Sequence, residues 1–285
     1  MRSVNIVGCG YVGLRLARRW RAAGCAVRGS ATRAESLGQI AAAGAEAVCK
    51  DLDAPLTRAD FTAQLLYYLV PPAPQGAHDA RLERFLAHVV GPVQRFVYMS
   101  TTGVYGDRDG ALVNEETPPA PQTERAVRRL AAENALRVWA DARGVSWCIL
   151  RVPGIYGPGR LPLERLRRGE PAIRPQEAAP SNRIHVDDLT TACLAAGSSA
   201  RAHRRIYNVT DGSDDSLTSY LQRVARIGNL PPPPLISRSE ARARFSDSSW
   251  SFLGESRRID NRRMREELGV ALAYRDLDAG IRASL

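Results

Sequence analysis

Lysine is nearly absent from this chain. Of its 40 basic residues one, Lys50, is a lysine and the rest are arginine, so any chemistry that needs an amine has a single candidate. Histidine is scarce: His78, His88, His185 and His203 are scattered, and a metal centre needs more ligands converging than this, so none is expected. The five cysteines (Cys9, Cys25, Cys49, Cys148, Cys193) are odd in number and far apart, which argues against a disulfide or zinc framework. They read as reduced thiols, mostly in a core, of a cytoplasmic protein. No long apolar run exists. The longest, residues 65–70, falls far short of the ~20 residues a membrane span needs. The first residues run straight into a glycine turn, which leaves no room for a signal peptide. Neither a basic tail nor an arginine stripe interleaved with aromatics is present. Residues 1–159 hold 19 basic and 14 acidic side chains, residues 160–285 hold 21 and 16, and the net charge of +10 is therefore evenly spread. That distribution fits a solvated surface that attracts anionic small molecules, not a nucleic-acid interface.

What is present is an alternation of strands and helices. Apolar runs over 4–7, 26–29, 45–48, 65–70, 95–100 and 147–151 read as strands. Stretches over 35–43, 79–90 and 123–141, and the residues after Gly13, carry helical spacing. This rhythm predicts an α/β fold, a Rossmann-like doubly wound parallel sheet. After about residue 157 proline rises and loops lengthen. The expected division is a dinucleotide-binding domain over 1–158, rejoined by 184–212, with a smaller C-terminal substrate lobe from 159–183 and 213–285. Such a lobe would cover the carboxyl edge of the sheet, where open α/β folds bind ligands.

Gly8-Cys9-Gly10-Tyr11-Val12-Gly13 follows a strand and opens a helix. Glycines there permit a tight turn and close backbone approach to a pyrophosphate, while the helix start offers unpaired N–H groups. All six residues are assigned to a cofactor. An NAD-type site places an acid at the end of the second strand. Here Ser30, Thr32 and Arg33 stand there, with no carboxylate before Glu35. Guanidinium and hydroxyls suit a 2′-phosphate, so NADP is expected over NAD. Asp51-Leu52, after the third strand, is placed near the adenine.

Ser100-Thr101-Thr102-Gly103-Val104-Tyr105-Gly106, the run from Leu150 through Tyr156 to Gly159, Arg183 to Asp188, and Tyr207-Asn208-Val209 follow in order. Together with the glycine turn they resemble the extended or atypical short-chain dehydrogenase/reductase superfamily, relatives of NAD-dependent epimerases and dehydratases. The resemblance implies a Ser/Thr, Tyr, Lys catalytic set. Thr101 matches the Ser/Thr, with Ser100 beside it assigned to the cofactor. The strand tips Val70-Pro71 and Val152-Pro153-Gly154-Ile155 would border the cofactor. With Glu133 as the Glu that often follows the Tyr-x-x-x-Lys helix pair, Arg125 falls at the Tyr position and Arg129 at the Lys position. None of the nine tyrosines has a lysine four residues on. Arginine stays protonated, so Arg125 could polarise a carbonyl or hold an anion but not act as a base. Either Tyr105 or Tyr156 transfers the proton, or the protein binds cofactor and catalyses little. Tyr105 is otherwise a packed aromatic. Tyr156, Arg183 and His185 are candidates for substrate contact. Alternatively, His185 with Asp187 fixes the returning segment and Arg183 pairs with an acid.

Two functions follow. One is an oxidoreductase or epimerase/dehydratase-like enzyme acting on a small polar molecule, such as a nucleotide-linked sugar. The other is a catalytically silent NADP-binding sensor. No nucleic-acid or membrane partner is expected. The superfamily habit would pair two copies through the helices over 79–90 and 123–141.

Overall fold

In the computed structural model, residues 2–56 and 61–285 are described. The strands, in chain order, are β1 (Ser3–Val7), β2 (Ala26–Ala31), β3 (Glu46–Cys49), β4 (Leu65–Tyr68), β5 (Arg95–Thr101), β6 (Leu112–Val113), β7 (Ser146–Val152), β8 (Gly154–Tyr156), β9 (Ala172–Ile173), β10 (Arg183–His185), β11 (Arg205–Asn208), β12 (Leu235–Ile236) and β13 (Arg258–Ile259). The helices are α1 (Tyr11–Ala22), α2 (Ala34–Ala42), α3 (Ala80–His88), α4 (Glu124–Asp141), α5 (Leu163–Arg167), α6 (Val186–Ser198), α7 (Leu217–Ile227), α8 (Arg238–Arg244), α9 (Asp247–Leu253), α10 (Arg262–Glu267) and α11 (Leu277–Arg282).

Seven strands form one sheet in the order β3-β2-β1-β4-β5-β7-β11, every pairing parallel. A parallel sheet must be covered on both faces, because its crossover helices lie there. The side chains obey this through their period of two. Ile6, Tyr67, Val97, Met99 and Leu150 enter one core with α1 and α6. Val7, Tyr68, Phe96, Tyr98 and Ile149 enter the other with α3 and α4. Four of the five cysteines are buried, Cys49 is exposed, and no disulfide is found among the described residues. No described helix is long and apolar enough to cross a membrane.

The first six sheet strands lie close to their sequence positions. The returning segment differs. Residues 183–185 pair as β10 with β8 outside the main sheet, while the rest of the segment returns to it: α6 packs against α1, and β11 joins the sheet beside β7. The lobe is also smaller than 159–183 plus 213–285. Met264 and Val270 belong to the main core, and Asp188 accepts from the backbone N–H groups of Ala273 (2.7 Å) and Tyr274 (3.0 Å). That carboxylate ties the chain beyond α10 to α6, so those residues cover the sheet rather than the lobe. The lobe proper has its own core from α5, α7 and α11, including Leu166, Leu221, Val224 and Ile281.

The α6 packing rests on a close approach. Tyr67, fully buried, donates to the Cys193 carbonyl (3.0 Å) and accepts from Trp20 Nε1 (3.2 Å). A Cβ on Gly197 would lie 2.0 Å from its hydroxyl. Alanine in a helix is ordinarily about 1 kcal/mol better than glycine. Here the clash outweighs it, because Tyr67 has no room to withdraw. Gly197→Ala should lower the stability by about 1–3 kcal/mol in a denaturant titration; an increase would contradict this packing.

Candidate active site

The β1–α1 turn is built around backbone approaches that only glycine permits. Gly8 has φ +80°, and a Cβ there would stand 2.7 Å from Val70 Cγ2. The Cys9 N–H donates to the Ser30 carbonyl (2.8 Å), tying the turn to β2. A Cβ on Gly13 would lie 3.2 Å from Ile6 Cγ2, so α1 starts hard against β1. At Gly10 a Cβ would meet nothing within 4 Å; that side opens on a groove. Gly10 caps α1 without a side-chain bond, and the first turn holds no acid. The first in-helix donor here is Leu14, to the Gly10 carbonyl (2.8 Å). The N–H groups of Tyr11, Val12 and Gly13 therefore lack helical acceptors. They line the groove, with the positive end of the helix dipole behind them. The open face at Gly10 and these donors fit a pyrophosphate.

The groove has a volume of about 470 Å³ and lies where β1 meets both β2 and β4, the point at which strand order reverses. At one end stand Ser30, Thr32 and Arg33, facing Lys50, Asp51 and Leu52. Among the described residues Arg33 makes no ion pair, whereas Arg81 is held by Asp53 (2.9 Å to Oδ1). At the other end are Val70, Pro71, Met99 and Ile155, and Arg160 lies against Tyr11 at the start of α1. Cys9 lines the groove, and burial pushes its thiol up to about 12. It is therefore a neutral packing group there.

Past Pro71 and Thr101 the groove adjoins two clefts, of about 300 and 260 Å³. Thr101 and Arg125 line both; Arg129 lines the first, and Pro153, Gly154, Glu255 and Arg257 the second. Thr101 Oγ1 accepts from the Gly103 N–H (3.2 Å), which leaves its own proton to donate. Arg129 Nη1 donates to the Val70 carbonyl (3.3 Å), the Tyr98 hydroxyl (3.0 Å) and the Met99 carbonyl (3.0 Å). It clamps the tips of β4 and β5 together. Arg125 Nη2 donates to the Ser251 carbonyl (3.3 Å). Burial lowers its pKa and nearby Glu255 opposes that, so it remains a cation.

Several residues expected at the site are enclosed instead. Ser100 faces away from the groove and donates to Glu133 Oε1 (2.5 Å), which also accepts from Arg151 (3.1 Å) in a buried cluster. Tyr105 is fully buried. Its hydroxyl donates to Asn208 Oδ1 (2.8 Å) and its ring lies 4.8 Å from the Arg151 guanidinium carbon, so it is a packed aromatic and not a proton donor. Val152 is in the main core. Tyr156 packs into the lobe core between His185 (5.2 Å) and Tyr220 (6.0 Å). His185, almost fully buried, caps α6 by accepting from the Asp187 N–H (3.2 Å) and meets Ser284 at 3.2 Å, so it fixes the returning segment. Arg183 is buried, stacks 4.6 Å over Tyr220 and donates to the backbone carbonyls of Asp215 and Ser216. None of Tyr156, Arg183 and His185 reaches the clefts described here, because the lobe closes over them.

Pro153 and Gly154 border the cleft by Thr101, while Ile155 borders the groove. The groove also takes in Met99, Arg81, Lys50 and Arg160, which sequence reasoning did not place there. Met99 was discoverable: it shares a strand face with Thr101, and Ser100 does not.

Strand order and groove together define a dinucleotide-binding protein of the doubly wound α/β class. The chain belongs to the NAD dependent epimerase/dehydratase family, whose model matches residues 4–210. It is 29% identical to Protein YeeZ of Escherichia coli (strain K12) over 293 residues, covering 97% of each chain. A functionally unknown conserved protein from Silicibacter pomeroyi DSS superposes with TM-score 0.84 at 28% identity, over 99% of this chain and 98% of that one. UDP-glucuronic acid 4-epimerase from Bacillus cereus, solved in complex with NAD, shares the fold: TM-score 0.80, 16% identity, 99% and 97% covered.

Asp211 lies in the same interior as Arg183, and burial pushes its carboxyl up to about 6. The folded state then holds this proton more tightly than the unfolded state does. Ionising Asp211 therefore costs stability as pH rises from about 4 to 6, by about 1.4 kcal/mol for each pH unit crossed. Asp211→Asn should stabilise the protein at pH 7 and lose that advantage by pH 4, read from melting temperatures of both proteins across this range. A mutant advantage that grows at low pH would contradict the assignment.

Proposed function

We propose that the protein binds NADP in preference to NAD and uses it on a small polar, anionic substrate seated beside Thr101. The carrying observation is adjacency. One groove runs from Arg33 across the uncapped start of α1 to Met99 and Ile155; Pro71 borders both it and one of the two neighbouring clefts, which share Thr101 and Arg125. The preference for NADP is supported by Arg33, which makes no ion pair among the described residues, and by Ser30 and Thr32 where an acid would read a free ribose hydroxyl. When bound, the nicotinamide would supply or accept a hydride. The chain's own groups would do the rest. The α1 N–H groups would hold the pyrophosphate, and Thr101 would donate to the reacting oxygen of the substrate. Arg125 would attract an anionic group and stabilise negative charge developing on that oxygen. The reaction class is oxidoreduction or the oxidoreductive step of an epimerase or dehydratase. A nucleotide-linked sugar is one substrate with the required hydroxyls and charge.

One observation favours a second reading, a silent NADP-binding sensor. Tyr105 and Tyr156 are both enclosed, so neither meets a substrate at Thr101. General acid–base help is typically worth about 10²–10⁴-fold in rate.

Calorimetric titration should show NADP⁺ binding more tightly than NAD⁺. Arg33→Ala should weaken NADP⁺ at least about tenfold and leave NAD⁺ nearly unchanged, the loss expected for one charge-assisted bond. Equal loss for both nucleotides would contradict the reading of Arg33. Thr101→Val should abolish turnover of cofactor with sugar-nucleotide or carbonyl substrates while cofactor affinity stays within about twofold. Activity surviving that change would displace the active site; absence of turnover in the unmodified protein across such a panel would favour the sensor.

A further inference from the structure

The loop after β8 returns across the start of α1, and its charge has no part in the chemistry at Thr101. The Tyr11 hydroxyl donates to the Pro158 carbonyl (3.0 Å). Gly157, at φ +150°, lies so close that a Cβ would stand 2.5 Å from the Tyr11 hydroxyl and 2.6 Å from Val186 Cγ1. The Arg160 N–H donates to the Gly157 carbonyl (3.0 Å), so the loop turns back on itself. This places the Arg160 guanidinium carbon 4.1 Å from the Tyr11 ring centre, at the wall of the groove. Arg15 also lies over that ring, at 4.3 Å, but its guanidinium is engaged by Asp187 (3.4 Å) and the Tyr11 carbonyl (3.0 Å). Arg160 is exposed, and among the described residues it makes no ion pair.

The charges of the groove are therefore divided. Arg33 and Lys50 line its β2–β3 end, Arg81 is held by Asp53 and the Pro71 carbonyl (3.3 Å), and Arg160 stands by the α1 turn. The turn itself offers neutral N–H donors and a helix dipole. A pyrophosphate carries two negative charges, and a guanidinium pairs with phosphate oxygens through two parallel donors. We propose that Arg160 is a pyrophosphate-binding residue that closes over the α1 turn, with Tyr11 as the platform that carries it. The ring holds the guanidinium at the groove wall, and Gly157 lets the loop approach closely enough for this contact. The same loop leads directly into α5, so the clamp is attached to the substrate lobe. The inference rests on the groove being a dinucleotide site.

The test is calorimetric titration of the full chain with NADP⁺ and NAD⁺ at two salt concentrations. Arg160→Ala should weaken both nucleotides by the same factor, about tenfold at low salt, because the pyrophosphate is common to both. That is unlike Arg33→Ala, which discriminates between them. The mutant's affinity should also fall less steeply with salt than that of the unmodified protein. Arg160→Lys should restore part of the lost affinity through its charge. Unliganded melting temperatures within a few degrees of the unmodified protein would establish that each variant is folded. The proposal is overturned if folded Arg160→Ala binds both nucleotides within twofold of the unmodified protein. It is also overturned if only NADP⁺ is weakened, since Arg160 would then read the 2′-phosphate. Failure of the unmodified protein to bind either nucleotide would instead overturn the groove assignment itself.

Discussion

The start of α1 is the constraint on which the site depends. Its first N–H groups have no helical acceptors, and Gly10 caps it with no side chain. An ordinary helix would use Ser, Thr, Asp or Asn there, worth about 1 kcal/mol. Here the donors are left for an anion, and three close approaches hold them in place: Gly8 against Val70, Gly13 against Ile6, and Gly157 against Tyr11. Each joins the turn to a different part of the fold. The strand order brings β1 beside both β2 and β4, so the turn opens at the switch point and not against a neighbouring crossover. Packing, topology and the electrostatics of the groove are consequences of one another at this place.

Behind Thr101 lies a second constraint. Arg151 and Glu133 pair at 2.7 Å with both side chains almost fully buried, and Ser100 donates to the same carboxylate. Breaking such a pair by removing one partner typically costs about 3–5 kcal/mol, because a charge is left buried and uncompensated. The cluster fixes β5, β7 and α4 relative to one another. It thereby aims Thr101 at the cleft, along with Arg125 and Arg129 from α4. From this frame α4 presents two guanidiniums to the clefts. Arg129 clamps strand tips, and Arg125 adds a fixed charge to the cleft. On the proposed reading, the site acts by electrostatics before it acts by acid–base chemistry.

Much of this was legible in the amino-acid order. Alternating apolar residues marked the sheet strands, and the glycine spacing marked the turn, because both are local patterns with a fixed period. Most of the expected groove residues, from Gly8 to Ile155, do meet in one place. The enclosed residues were not legible. Tyr105 is buried by Asn208, and His185 is met by Ser284, partners about a hundred residues away. Arg183 lies against Tyr220, on a helix of the lobe. Their exposure is decided by how the lobe docks, which no short-range pattern encodes. Ser100 is different: the period of β5 alone separates it from Met99 and Thr101. The place of Arg160 at the groove wall was hidden because it comes from a loop crossing back over α1.

The most direct measurement of the central claim is amide hydrogen exchange at residues 11–13, with and without saturating NADP⁺. In the unliganded protein these three N–H groups have no helical acceptor. The account predicts that NADP⁺ slows their exchange strongly, while the amides of α7, in the lobe core, change little. Unchanged exchange at residues 11–13 under saturating nucleotide would contradict it, because the pyrophosphate would then not rest on α1.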